Sequence, residues 1–251
     1  MSAVVHASAE NTAQTAAVLR RDGVVILDSL WDASKVDQLR ALVERQHPEF
    51  VDPSSLHDYL GKKKERFLAP VHITREMYDS GLLRSAPLDA ICRVMLGEDY
   101  VYEAFGVIWV QPGAPAQKPH RDGGALFAES GLDRVLPPSA MTVAVPLVDV
   151  DLDLAPTGAA PGSHRLAQGA EVGELQPIEL ARGDAAIWDF RTFHGGLANL
   201  TDRPRPALYF TVCRPFWIDH LNFRKDARVR LVGEPEVLAE LGPSFIRAIP
   251  A

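Results

Sequence analysis

The sequence predicts an α+β chain, mainly β, with helices packed on a sandwich or barrel of the jelly-roll kind. Three observations predict it. Helical spacing prevails over the first hundred residues. After Tyr100 the texture turns to strand-length runs rich in Val, Ile, Phe, Tyr and Trp, and Gly, Pro and Asp punctuate those runs. Helices first and strands after is the α+β order. A length of 251 residues suits one domain over 1–251, helical over about 1–100 and strand-built over about 101–217.

Thr12 to Arg21 reads as a helix stopped by Asp22-Gly23, and Val24 to Leu27 as a short apolar strand. Asp32 offers an N-cap to a second helix, in which Val36, Leu39, Leu42 and Val43 recur up to Pro48. The mixed, polar stretch that follows ends in Lys62-Lys63-Lys64. That run reads as a solvated loop, with a basic lip gripping a substrate phosphate or carboxylate as the alternative. Ser85 caps a third helix that has Pro87 in its first turn and Gly97 at its close. Strands are expected at Glu103–Gln111, Met141–Val150, Gln176–Leu180, Ala185–Phe190 and Arg205–Pro215. The tail from Arg224 is charged, with a short helix at Pro235 to Leu241.

A net charge of −7 argues against a general nucleic-acid or membrane-surface binder. Cys92 and Cys213 stand far apart in no metal-binding or redox pattern, as in a reduced intracellular protein. The N-terminus has neither a basic start nor an apolar run, and the apolar stretches elsewhere are only strand-sized. A cytoplasmic enzyme with a small-molecule substrate is the expectation.

The chemistry concentrates at His120-Arg121-Asp122 and at His194. In an extended segment residues i and i+2 share a face, so His120 and Asp122 aim together while Arg121 points away. With His194 they can form a 2-His-1-carboxylate face, which leaves open positions for oxygen chemistry on ferrous iron. A lone His-x-Asp is common by chance, and alone it reads as surface. Arg205, eleven residues beyond His194, could hold the far carboxylate of a bidentate acid, and Arg203 competes with it for that role. His72, between Val71 and Ile73, reads as a strand histidine or a polar group in a substrate pocket.

The surroundings of the three residues decide between these readings. Ala116-Gln117-Lys118-Pro119-His120-Arg121-Asp122 is followed by Thr157-Gly158-Ala159-Ala160-Pro161-Gly162-Ser163-His164-Arg165. Gly183-Asp184-Ala185-Ala186-Ile187-Trp188, His194-Gly195-Gly196-Leu197-Ala198-Asn199 and Arg203-Pro204-Arg205-Pro206-Ala207-Leu208-Tyr209 complete the series. Over roughly residues 15 to 215 this resembles the phytanoyl-CoA dioxygenase-like family of iron(II)- and 2-oxoglutarate-dependent oxygenases. The resemblance implies a double-stranded β-helix, the cupin-like form of jelly roll. It also implies Fe(II) on His120, Asp122 and His194, with 2-oxoglutarate and O2 as cosubstrates. Arg205, Thr157 and Gln117 match the positions that hold 2-oxoglutarate. Pro-Gly-Ser-His itself reads as a structural turn. One departure stands out: relatives often carry Asn-Gly where this chain has Leu154-Ala155.

The reaction so implied oxidises an unactivated C–H bond while 2-oxoglutarate is converted to succinate and CO2. The presence of Asp122 argues against halogenation, because related halogenases carry a small residue there. Phe105, Trp109, Phe127 and Trp188, with His72, are candidate pocket residues, although aromatic residues are more often plain core. Leu126, Phe127, Leu132 and Leu136 could belong to a lid. The expected substrate is a small, largely apolar molecule in natural-product tailoring, with an acyl-CoA or acyl-carrier substrate behind it. Two other classes stay open: a metal isomerase or hydrolase independent of 2-oxoglutarate, and a ligand-binding jelly roll without catalysis.

Overall fold

Val24 to Asp28 is buried at four of five positions, as a strand covered on both faces requires. It lies in a seven-stranded sheet that organises the molecule. The computed structural model describes residues 3–51, 65–167, 169–219 and 231–251; Lys62, Lys63 and Lys64 lie outside them. The strands are β1 (His6–Ser8), β2 (Val24–Asp28), β3 (Arg66–Pro70), β4 (His72–Ile73), β5 (Val101–Val110), β6 (Ala140–Pro146) and β7 (Thr157–Ala159). Then come β8 (Gln176–Ile178), β9 (Ala185–Asp189), β10 (His194–Gly196), β11 (Arg205–Cys213), β12 (Val232–Gly233) and β13 (Ile249–Pro250). The helices are α1 (Thr12–Asp22), α2 (Ala33–Gln46), α3 (Pro48–Val51), α4 (Arg75–Asp79), α5 (Ala86–Leu96) and α6 (Pro235–Leu241).

The large sheet runs β1-β2-β9-β6-β11-β5-β3, and a second sheet runs β10-β7-β8. Residues 113–120 extend the second sheet beside β10. Gln117 N–H donates to Gly196 O at 2.8 Å, and His120 and His194 exchange both backbone hydrogen bonds at 2.9 Å. The arrangement is the mainly β jelly roll with helices that the sequence predicts.

Register assigns the two faces of the large sheet. One face carries Val25, Ile187, Val143, Phe210, Phe105, Trp109 and Phe67, packed with Leu39, Phe50, Leu88 and Ile91 from the helices. The other face turns toward the small sheet. On it Ile26, Ala186, Ala144 and Tyr209 stand in one row, and Val24, Trp188, Thr142 and Thr211 in the next. Arg205 and Arg66 flank Val110 in a further row.

Helix ends follow the expected signals with one exception. The Asn11 side chain accepts from Gln14 N, and Ser85 Oγ accepts from Leu88 N, whereas the Asp32 side chain makes no capping bond. The first hundred residues hold α1 to α5 and the expected strand β2, and they add the short strands β1, β3 and β4, of which β3 forms an edge of the main sheet. The expected strand Met141–Val150 ends at Pro146, after which Leu147 N–H bonds to Pro206 O across the sheet. No helix among the described residues is long and apolar enough to cross a membrane.

Candidate active site

His120 follows the 113–119 segment, His194 opens β10, and the bridge between them sets their rings side by side, centroids 4.7 Å apart. Asp122 lies two residues on, its backbone N–H held by Phe190 O at 3.0 Å. One ligand atom from each of the three residues falls within 4.8 Å of the others. Arg121 points the other way, as alternation requires. Its Nη2 donates to Ser163 O and Leu166 O at 3.1 and 2.9 Å, and its guanidinium lies over the Phe193 ring.

The surrounding bonds prepare these donors for a metal. His120 Nδ1 sits 2.9 Å from Lys118 O, and His194 Nδ1 sits 3.0 Å from Thr192 O. A carbonyl only accepts, so each ring carries a proton on Nδ1, and loss of any proton on Nε2 turns that nitrogen's lone pair to a metal. Asp122 Oδ2 accepts from Thr142 Oγ1 at 2.8 Å and from Trp188 Nε1 at 3.0 Å. Its Oδ1 faces His194 Nε2 at 3.3 Å. Such outer bonds orient ligating imidazoles and carboxylates.

Burial alone would push the Asp122 carboxyl up. The charge and hydrogen bond of His194, with the donors Thr142 and Trp188, outweigh it and bring the group down to about 2. His194 is correspondingly raised: burial opposes its charged form, and Asp122 more than compensates. A deprotonated carboxylate and two Nε2 lone pairs make an N2O donor set suited to ferrous iron.

A second cluster lies toward the arginine row. Arg205 is 3% exposed; its Nε donates to Ala155 O at 3.1 Å and its Nη1 stands 3.4 Å from Tyr209 OH. Arg203, the competitor, is exposed and lies 3.7 Å from Asp151 at the surface. Thr157 Oγ1 is 3.4 Å from the same Tyr209 hydroxyl. Arg66 is the buried cation on the other flank of Val110. Its Nη2 donates to Leu197 O at 2.5 Å and Pro115 O at 3.0 Å, while its Nε is buried with no partner among the described residues. Burial, then the charge of Arg205, lower the Arg66 guanidinium to about 10. Gln117 joins this cluster through Oε1, which accepts from Gly196 N at 2.8 Å. A Cβ on Gly196 would stand 2.5 Å from Arg66 Nη1 and 3.0 Å from Gln117 Oε1, so a larger residue there would displace these two side-chain ends.

The remaining candidate residues separate. Trp188 touches Asp122 directly. Phe127 is half exposed on the segment after Asp122, where Asp133 carboxylate oxygens accept from Leu126 N and Phe127 N at 2.9 and 2.6 Å. Phe105 and Trp109 lie on the helix-facing side of β5, stacked on Phe210 and Phe50 respectively, opposite the face of Arg205 and Tyr209. Here the single-residue alternation of a strand overrides the pocket role suggested by their size. His72 is exposed in β4, its backbone N–H held by the Gln46 side chain, away from the triad. Pro161 to Arg165 forms a turn: Ser163 Oγ accepts from Phe193 N at 2.8 Å. Sequence reasoning passed over Thr142, Tyr209 and Arg66. For Tyr209 the signal was its i+4 spacing from Arg205 on one strand. For Arg66 it was the charge that ends the run Lys62-Lys63-Lys64-Glu65-Arg66 and adjoins the apolar stretch Phe67-Leu68-Ala69-Pro70.

The fold and site define a jelly-roll protein with two histidines and one carboxylate converging beside a buried cationic cluster. The chain belongs to the phytanoyl-CoA dioxygenase (PhyH) family, whose model matches residues 19–207. It is thereby an enzyme of the iron(II)- and 2-oxoglutarate-dependent dioxygenase class. It is 26% identical over 202 residues to the dioxygenase trt7 of Aspergillus terreus, covering 78% of this chain and 71% of that protein. The crystal structure of AviO1 from Streptomyces viridochromogenes is similar with a TM-score of 0.62 and 22% identity, over 82% of this chain and 96% of that one. The epimerase SnoN, solved with Fe3+, alpha-ketoglutarate and nogalamycin RO, gives a TM-score of 0.60 and 21% identity, over 88% and 93%.

Proposed function

We propose that the protein oxidises, by hydroxylation, an unactivated C–H bond of a small, largely apolar molecule in natural-product tailoring. His120, Asp122 and His194 hold iron(II), and Arg205, Thr157 and Gln117 hold 2-oxoglutarate. One observation carries the reading. Two guanidiniums, Arg66 and Arg205, are buried on the sheet face that turns toward the small sheet carrying His194, and their hydrogen-bond partners among the described residues are carbonyls and a hydroxyl. Buried cations without a carboxylate among the described residues are costly, and a dianionic ligand removes that cost. The fork of Arg205 matches a carboxylate in shape and charge.

With iron(II) bound, the site supplies oxygen chemistry in which 2-oxoglutarate becomes succinate and CO2 and a substrate C–H bond is oxidised. The protein's own residues bind and orient. Thr142 and Trp188 hold the Asp122 carboxylate in one rotamer and keep it ionised. Lys118 and Thr192 carbonyls fix the imidazole tautomers. The segment 123–138 follows Asp122 and presents Leu126, Phe127, Leu132 and Leu136 as exposed apolar groups, which supports an apolar substrate. A structural relative that binds nogalamycin RO supports natural-product tailoring.

The test is anaerobic addition of Fe(II) and then 2-oxoglutarate, followed by visible spectroscopy. A charge-transfer band in the wild type, absent in His194→Ala, is expected. No band in the wild type would overturn the cosubstrate assignment. Succinate release against a panel of apolar natural products then identifies the substrate, and the product's mass separates hydroxylation from other outcomes.

A further inference from the structure

Tyr209 stands between the two halves of this site. On the inner face of β11, Arg205 and Thr211 are six residues apart, roughly 20 Å along the strand. Thr211 is in register with Thr142, the residue that donates to Asp122. Arg205 therefore marks the anion end of the row and Thr211 the metal end. Ala207 and Tyr209 are the only inward side chains of β11 between them, and Ala207 is small.

The ring of Tyr209 has a prepared seat. Its register neighbours are Gly106 on β5 and Ala144 on β6, and Ala144 in turn pairs with Ala186. These small residues leave room for an aromatic ring, which packs against the cluster that includes Ala144, Ala186 and Trp188. The Trp188 ring meets it edge-on at 6.0 Å, and the same indole holds Asp122. The phenol oxygen lies 3.4 Å from both Thr157 Oγ1 and Arg205 Nη1. Both contacts are long for hydrogen bonds, so the hydroxyl retains donor capacity beside a guanidinium and a second hydroxyl.

We propose that Tyr209 is a cosubstrate-binding residue that gauges length. Its hydroxyl donates to the distal carboxylate of the 2-oxo acid together with Thr157 and Arg205, and its seated ring fixes how far from the triad that carboxylate sits. This makes the site selective for the five-carbon diacid over its homologues. The inference rests on the cosubstrate reading above and extends it to a residue outside that set.

The experiment is anaerobic titration of the iron(II)-loaded protein, wild type and Tyr209→Phe, with 2-oxoglutarate, 2-oxoadipate and pyruvate, read by the visible band. Loss of one hydrogen bond to a charged group is expected to weaken 2-oxoglutarate binding about tenfold. The preference for 2-oxoglutarate over 2-oxoadipate should shrink, while pyruvate, which has no distal carboxylate, binds both proteins alike. Unchanged 2-oxoglutarate affinity and selectivity in Tyr209→Phe overturns the proposal, as does equal weakening of pyruvate, which would mark a structural effect. A wild type without any band overturns the cosubstrate reading and this inference with it. A wild-type band with an indifferent variant overturns this inference alone.

Discussion

The two faces of the seven-stranded sheet are built from the same strands and obey different rules. Toward the helices, Phe67, Trp109, Phe105, Phe210, Val143 and Ile187 interlock with apolar helix residues in one continuous core. Toward the small sheet, the same strands offer Arg66, Arg205, Tyr209, Thr142 and Trp188 among alanines and valines. The first face has the close packing that stabilises the fold. The second sacrifices some of it, leaving cations with neutral partners and a carboxylate held ionised in a buried setting. Adjacent residues on one strand thus divide: Trp188 reaches Asp122 and Ile187 packs in the core.

Substitutions on the two faces should separate accordingly. The largest effect is expected from Asp122→Asn, which keeps shape and removes the ligand charge. Iron(II) affinity should fall by more than about 100-fold, the upper end of what outer hydrogen bonds contribute, with the fold retained. Metal titration monitored together with circular dichroism checks this; retained tight binding would break the assignment. Trp109→Ala on the helix-facing side should do the reverse. It empties a packed site against Phe50 and should cost about 3–5 kcal/mol of stability, while the folded fraction binds 2-oxoglutarate as before. Denaturant unfolding and anaerobic titration measure the two quantities on the same sample.

Trp188→Phe is a finer probe, because it keeps a ring and removes the N–H that reaches Asp122. Metal affinity should drop about 10- to 100-fold, with a loss of stability well below that of Trp109→Ala. If Trp188→Phe instead unfolds the protein and leaves metal binding intact, the distinction between the faces fails at that residue.

This division was only half legible in the sequence. The triad could be read because His120, Asp122 and His194 combine a ligand chemistry with a two-residue period that a strand turns into a shared direction. Arg205 was legible but rivalled by Arg203, and burial separates them. Phe105 and Trp109 read as candidate pocket residues or plain core, because size and aromaticity do not reveal which side of a strand faces the triad; one residue of register reverses the answer. Thr142 and Tyr209 were invisible for a related reason. Their roles depend on which strands become neighbours, and β6 lies beside β11 across more than sixty residues of chain, a separation that no local pattern encodes. Arg66 lay in a region expected to be helical, where a short edge strand after a polar stretch leaves little periodicity to read.

The smallest expected effect concerns Ala155, in the Leu154-Ala155 pair singled out in the sequence. Ala155 is fully buried with φ of 49°, a left-handed conformation that side chains with a Cβ rarely adopt. Its carbonyl accepts from Arg205 Nε at 3.1 Å, so backbone strain sits directly behind the guanidinium proposed to hold the cosubstrate. Ala155→Gly removes a penalty of about 1–2 kcal/mol. It also loosens the unfolded chain, which opposes the gain by about 0.5–1 kcal/mol. Stability should therefore rise slightly, by no more than about 1.5 kcal/mol from these two opposing effects. The freer carbonyl holds Arg205 less firmly, and 2-oxoglutarate affinity should weaken a few-fold, much less than in Tyr209→Phe. A more stable variant with weaker cosubstrate binding is the result that would place strain on the chemical face of the sheet. A less stable variant with unchanged binding would show Ala155 to be ordinary packing, and would move the boundary between the two faces away from this residue.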